Sequence, residues 1–114
     1  MIKKDLKEQI LAKLTERLNL QRVILFGSHA RGIPDPESDI DLLIVTDNDL
    51  MPETYEEAMA IYLEVSSALR DIKRTIPVDL IVHTKPMHEK FIQLGSMFSR
   101  EILETGEILY EKNN

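Results

Sequence analysis

Cysteine and tryptophan are missing altogether. Without thiols the chain forms no disulfide, builds no thiolate zinc site and offers no cysteine nucleophile. No apolar run approaches the roughly 20 residues of a membrane span. The lysine-bearing start, MIKKDLKEQI, has no apolar stretch behind it to serve as a signal peptide. The expectation is a soluble, cytoplasmic protein. Positive charge is scarce too: 14 basic against 20 acidic residues leave a net charge of −6, the wrong sign for gripping a nucleic-acid backbone by bulk electrostatics. Nucleic acid is therefore not expected as the main partner. A length of 114 residues suits a single domain over 1–114 with a real core, so a separate acceptor-binding domain is expected to belong to another chain.

What is present is a regular alternation of elements. Ile2, Leu6, Ile10, Leu11, Leu14 and Leu18 recur at steps of three and four, the stripe of an amphipathic helix ending near Asn19. Gln21 to Phe26 is a short apolar run closed by Gly27, the pattern of a strand buried on both faces. Ser28 to Gly32 has room for a brief helical turn that Pro34 and Pro36 keep short. A second strand is expected from about Ser38 to Thr46. Tyr55, Ala58, Met59, Tyr62, Val65, Leu69 and Ile72 mark a long helix, with Met59 and the tyrosines read as core. Val78 to His83 reads as a third strand by its branched residues. Met87 to Glu104 reads as one helix with Phe91, Leu94, Phe98 and Ile102 inward and Gly106 as its left-handed stop. The ILY segment near the end suits a small edge strand. The order predicts an α+β (mixed α/β) domain.

Two aspartates are written into the front of the second strand, in SDIDLLIV. Alternate residues share a face, so Asp39 and Asp41 project together, roughly 6.6 Å apart. At an effective dielectric near 20 the pair repels by about 2.5 kcal/mol when both are ionised, so positive charge is expected between them. Asp79 repeats the pattern in VDLIV, and adjacency of the two strands would make three carboxylates converge. Such hard oxygen donors suit magnesium shared with a nucleotide. The plainer reading is a pair of strand-start carboxylates resting in water. Gly27 and Ser28, directly after a buried strand, form a turn whose N–H groups can approach a phosphate closely. The spacing Gly27 to Gly32 matches the front of a P-loop, but Ile33 and Pro34 stand where its lysine and hydroxyl must be. A Walker-type ATPase is excluded.

FGSHARG, then SDIDL, then VDLIV on a later strand, together resemble the nucleotidyltransferase superfamily that includes DNA polymerase β. The similarity is strongest to its small prokaryotic branch, the minimal nucleotidyltransferases, and covers most of the chain. It implies the nucleotidyltransferase fold, a small mixed sheet of three or four strands flanked by helices. It further implies that Gly27 and Ser28 bind the phosphates of ATP, that Asp39 and Asp41 bind two magnesium ions, and that Asp79 binds one of them and helps to activate an acceptor hydroxyl. Arg31 has two readings, a clamp on the departing phosphates or a surface arginine paired with Asp35 or Glu37. His29 is assigned no role, and His83, on the alternation face of Asp79, reads as a strand-end residue. Minimal members commonly stand beside a small helical HEPN partner as antitoxin to toxin. The resemblance thus implies transfer of AMP from ATP to a hydroxyl of that partner, with a tyrosine as the expected acceptor. The rival readings are an antitoxin that neutralises by contact with an idle metal site, and an aminoglycoside-type small-molecule nucleotidyltransferase.

Overall fold

The oily run that follows Asp39 becomes the inner strand around which the rest is arranged. The computed structural model describes residues 4–30 and 39–112. It comprises α1 (Lys4–Arg17), β1 (Leu20–Phe26), β2 (Ile40–Thr46), α2 (Tyr55–Ala68), α3 (Arg70–Lys73), β3 (Val78–His83), α4 (Lys85–Leu94), α5 (Met97–Thr105) and β4 (Glu107–Glu111). The strands lie in the order β3-β2-β1-β4. β1 runs antiparallel to both β2 and β4, and β2 runs parallel to β3. This is the mixed, helix-flanked sheet expected from the sequence, with the small edge strand in place.

Leu42, Leu43, Ile44 and Val45 are fully buried because helices cover both faces of β2. Leu42 and Ile44 pack with Ile10 and Leu14 of α1 and Val65 of α2. Leu43 packs on the other face with Ile24, Ile102 of α5 and Phe91 of α4. A strand buried on two sides needs a continuous apolar run rather than an alternating one, which is what LLIV supplies. Among the described residues no helix is long and apolar enough to cross a membrane.

Several expectations are corrected. The long helix read through Ile72 is interrupted at Leu69 (φ −99°, ψ 11°) and restarts as α3. The helix read from Met87 to Glu104 is two helices. α4 begins earlier, at Lys85 behind the capping hydroxyl of Thr84, and stops at Gly95 in the left-handed region (φ 56°). Ser96 then caps α5, its hydroxyl accepting from the N–H of Ser99. Glycine followed by serine is a stop and a start, and the bend it makes turns Leu94 out to 73 % exposure rather than inward. Gly106 is extended (φ −71°, ψ 154°); its lack of a side chain serves space, since a Cβ there would overlap the Ile102 carbonyl oxygen. Tyr55, expected in the core, is 72 % exposed at the start of α2.

A polar knot closes the far end of the α4 side. Arg22 of β1 donates through Nη2 to Glu111 Oε1 at 2.9 Å, and its Nη1 lies 3.4 Å from His88 Nε2. Arginine can only donate, so His88 Nε2 accepts, and a neutral His88 carries its proton on Nδ1, 3.3 Å from Nδ1 of His83. Phe91 stacks on His88 and lies tilted against His83. Burial, then the charges of His83 and Arg22, push His88 down to about 4, and burial lowers His83 as well. A histidine lowered in the folded state stabilises fully above its unfolded value near 6.5, and that contribution is lost as pH falls toward 4. The His88 shift corresponds to about 3 kcal/mol. Urea unfolding at pH 7 and pH 4.5 should show the wild type losing more stability on acidification than His88→Leu, whose pH dependence is flatter.

Candidate active site

Two strand registers assemble the site. The antiparallel pairing of β1 with β2 sets Phe26 opposite Asp41, and the parallel pairing of β2 with β3 sets Asp41 opposite Asp79. The chain leaving Phe26 at Gly27 therefore turns directly over the start of β2. Along β2 and β3 the positions 41 and 43, and 79 and 81, share one face by alternation, the face that Leu43 and Ile81 present to α4 and α5. Asp41, Asp79 and the turn after β1 thus meet at one end of the sheet.

Gly27 has φ 76°, which favours glycine, and a Cβ there would overlap Oδ2 of Asp41. The carboxylate lies against the bare backbone of the turn. Ser28 follows within that turn, half-buried. Asp39 stands just before β2, with its carboxyl beside that of Asp79. The close approach of the Asp39 carboxyl, then desolvation and the charge of Asp39, raise Asp79 above the ordinary carboxylate range, with Lys73 opposing. Burial, then Asp79 and Asp39, raise Asp41, with His29 opposing. The cluster is thus a set of acids working against one another, although Asp79 itself is solvent-exposed.

Among the described residues no group of three or more histidine or acidic side chains is gathered so as to hold a metal ion as it stands. The donors nonetheless fit a hard divalent cation: they are all oxygen, they number one or two per strand mouth, and the neighbouring negative charge that raises the proton affinity of Asp41 and Asp79 is what a cation would offset.

Each sequence-predicted residue has a place save one. Asp39, Asp41, Asp79, Gly27 and Ser28 come together; Arg31 lies outside the described residues, as do its alternative partners Asp35 and Glu37. His83 is four residues beyond Asp79, about 13 Å along the strand, and belongs to the knot with His88. Two contributors went unread in the sequence. Lys73 of α3 is felt electrostatically at Asp79. α5 walls a cavity of about 410 Å³ that opens beside Gly27, Asp41 and Asp79 and is lined further by Phe98, Glu101 and Thr105. These α5 positions recur at three and four, the spacing of any core-facing stripe, so periodicity alone could not separate a cavity wall from a core.

The chain is similar to known proteins in sequence and in fold. A family model described as polymerase beta nucleotidyltransferase matches residues 8–114. An inferred protein adenylyltransferase of Methanocaldococcus jannaschii is 34 % identical over 108 residues, covering 94 % of this chain and 96 % of the relative. A second inferred protein adenylyltransferase of that organism is 36 % identical over 99 residues, covering 87 % of this chain and 93 % of the relative. In structure the chain resembles a Sulfolobus solfataricus protein described as a nucleotidyltransferase, with a TM-score of 0.59, 23 % identity and coverage of 94 % of this chain and 78 % of the other. It also resembles a chain from a toxin–antitoxin complex with AMP-PNP, with a TM-score of 0.57, 16 % identity and coverage of 94 % and 74 %. A chain from the complex of a tri-AMPylated Shewanella oneidensis HEPN toxin with its MNT antitoxin gives a TM-score of 0.52, 15 % identity and coverage of 93 % and 70 %. At these identities the structural likenesses speak for the fold. The family model and the two sequence relatives speak for descent, and the chain belongs to the polymerase β nucleotidyltransferase family.

Proposed function

We propose that this nucleotidyltransferase moves AMP from ATP to a tyrosine hydroxyl of a small helical HEPN-type partner protein, acting as its antitoxin, in a magnesium-dependent reaction in the cytoplasm. The observation that carries the reading is the double register of Asp41, with Asp79 beside it and Gly27 pressed against its carboxylate. Protein as acceptor is supported by the sequence relatives, which are inferred protein adenylyltransferases of nearly the same length. The HEPN partner and AMP as cargo are supported by the similar fold of a chain crystallised with a tri-AMPylated HEPN toxin.

In this reading the turn at Gly27 and Ser28 receives the β- and γ-phosphates through backbone N–H groups and the serine hydroxyl. Two magnesium ions held by Asp39, Asp41 and Asp79 would supply positive charge to the entering and leaving oxygens. The acceptor oxygen attacks the α-phosphorus in line; its new O–P bond forms as the bond to the β-phosphate oxygen breaks. Pyrophosphate leaves with the electron pair, and the acceptor proton passes to Asp79. A carboxyl whose affinity for protons is raised by its neighbours suits that last duty.

The test is label transfer to the product of the neighbouring reading frame when that product is a short helical protein carrying R-x-x-x-x-H. ATP labelled at the α-phosphorus should mark the partner and ATP labelled at the γ-phosphorus should not, with Asp79→Asn silent. Neutralisation of the toxin that survives Asp39→Asn and Asp41→Asn, with no label on the partner, would assign the antitoxin role to contact alone.

A further inference from the structure

The cavity beside Asp79 has a side that phosphate and metal chemistry leave unused. In-line displacement places the acceptor oxygen opposite the departing pyrophosphate. The pyrophosphate belongs to the Gly27–Ser28 turn after β1, so the acceptor enters from the β3 side, and β3 is an edge strand. The ribose leaves the α-phosphorus across that line, not along it, so the base has no need of the β3 wall.

That wall is built for an apolar group. Beyond Asp79 on the same face comes Ile81, half-buried, and Ile102 of α5 forms the floor. Phe98 faces the cavity with 48 % of its surface open. Its ring is nevertheless fixed, edge-on to Phe26 at 5.9 Å and 82° and to Phe91 at 6.3 Å and 85°. A half-exposed aromatic clamped by two others is a rigid surface whose free side is available for contact.

We propose that Ile81, Phe98 and Ile102 form the acceptor subsite, with Phe98 setting its preference for an aromatic hydroxyl. The proposal rests on the transferase reading of Asp41 and Asp79. The cavity of about 410 Å³ holds one aromatic side chain, which lies on Phe98 and needs a polar partner only for its terminal hydroxyl, the atom delivered to Asp79. A sugar with hydroxyls around its ring would leave several of them unpaired against Ile81 and Phe98. A serine would reach Asp79 but bury nothing on the wall.

Methyl NMR of Ile81 and Ile102 during titration with N-acetyl-tyrosinamide, N-acetyl-serinamide and adenosine tests this directly. The tyrosine derivative should shift both methyls to saturation and the serine derivative should not. Phe98→Ala should weaken the tyrosine derivative by about fivefold, and Phe98→Tyr should restore it. Thr105→Trp, a substitution at an exposed mouth position that does not touch the core, should block it even where Phe98→Ala fails to fold. In the transfer reaction Phe98→Ala should raise KM for the protein acceptor far more than it lowers kcat. Saturation of these methyls by adenosine and not by the tyrosine derivative would make the cavity a base site and overturn the proposal, as would the absence of any shift. Methyl shifts in a protein that transfers no AMP would leave the subsite standing and sink the transferase reading instead.

Discussion

Asp41→Asn is expected to abolish nucleotide transfer while raising the melting temperature of the protein in chelator-treated buffer. Both effects come from one cause. The Asp41 carboxyl is raised by burial and by the charges of Asp79 and Asp39, so the folded state holds its ionised form at a cost. A carboxyl raised on folding contributes stability that is present below its unfolded value near 3.9 and is lost as pH rises through the higher folded value. At pH 7 the ionised group therefore weighs against the fold, and a neutral amide of the same shape removes the repulsion. Removing one anionic ligand also removes much of the charge stabilisation a divalent cation brings to transfer, a loss of about a thousandfold or more. Thermal melts at pH 7 with and without magnesium check the stability half: magnesium should raise the wild-type melting temperature and leave the variant nearly unmoved. A variant that melts below the wild type in the presence of chelator would contradict the electrostatic account of the cluster.

The second large effect is expected at the turn. Gly27→Ala meets two obstacles, a φ of 76° and the Asp41 carboxylate where its Cβ must go. The left-handed conformation alone costs an alanine about 1–2 kcal/mol. The overlap adds to this by driving Asp41 off its position, and displacement of a reacting group by about 1 Å can cost about a hundredfold in rate. The variant should therefore lose about a hundredfold in transfer and at least about 1 kcal/mol of stability. Urea unfolding of Gly27→Ala, Asp41→Ala and the double variant separates the causes. In the Asp41→Ala background only the backbone strain remains, so the second substitution should cost less there than in the wild type. Equal costs in both backgrounds would show that the contact of Gly27 with Asp41 is unimportant.

Much of the site is legible because it is written in short-range rules. Period-two alternation fixes the common face of Asp39 and Asp41, a glycine after a buried strand announces a close approach, and the repeated strand mouth in VDLIV singles out Asp79. The structure supplies what those rules cannot, the parallel register that sets Asp79 opposite Asp41. β3 has the bounds read from its branched residues, because branched runs between a proline and a capping threonine leave little choice. The break at Gly95 and Ser96 was hidden by an apolar period that runs through it, and the same period disguised Phe98 as core. Tyr55 was misread for a related reason: at the first residue of α2 it continues the stripe but lies beyond the sheet that the stripe covers. The charge of Lys73 at Asp79 joins residues from different elements, which no local pattern encodes.

The central claim is that the carboxylates at the mouths of β2 and β3 act with the glycine-serine turn as one nucleotide site. Calorimetric titration of the protein with AMP-PNP, in magnesium and in chelator, measures it most directly. The account predicts saturable binding that requires magnesium in the wild type and disappears in Asp41→Asn. Binding of equal strength in the wild type and in Asp41→Asn would contradict it.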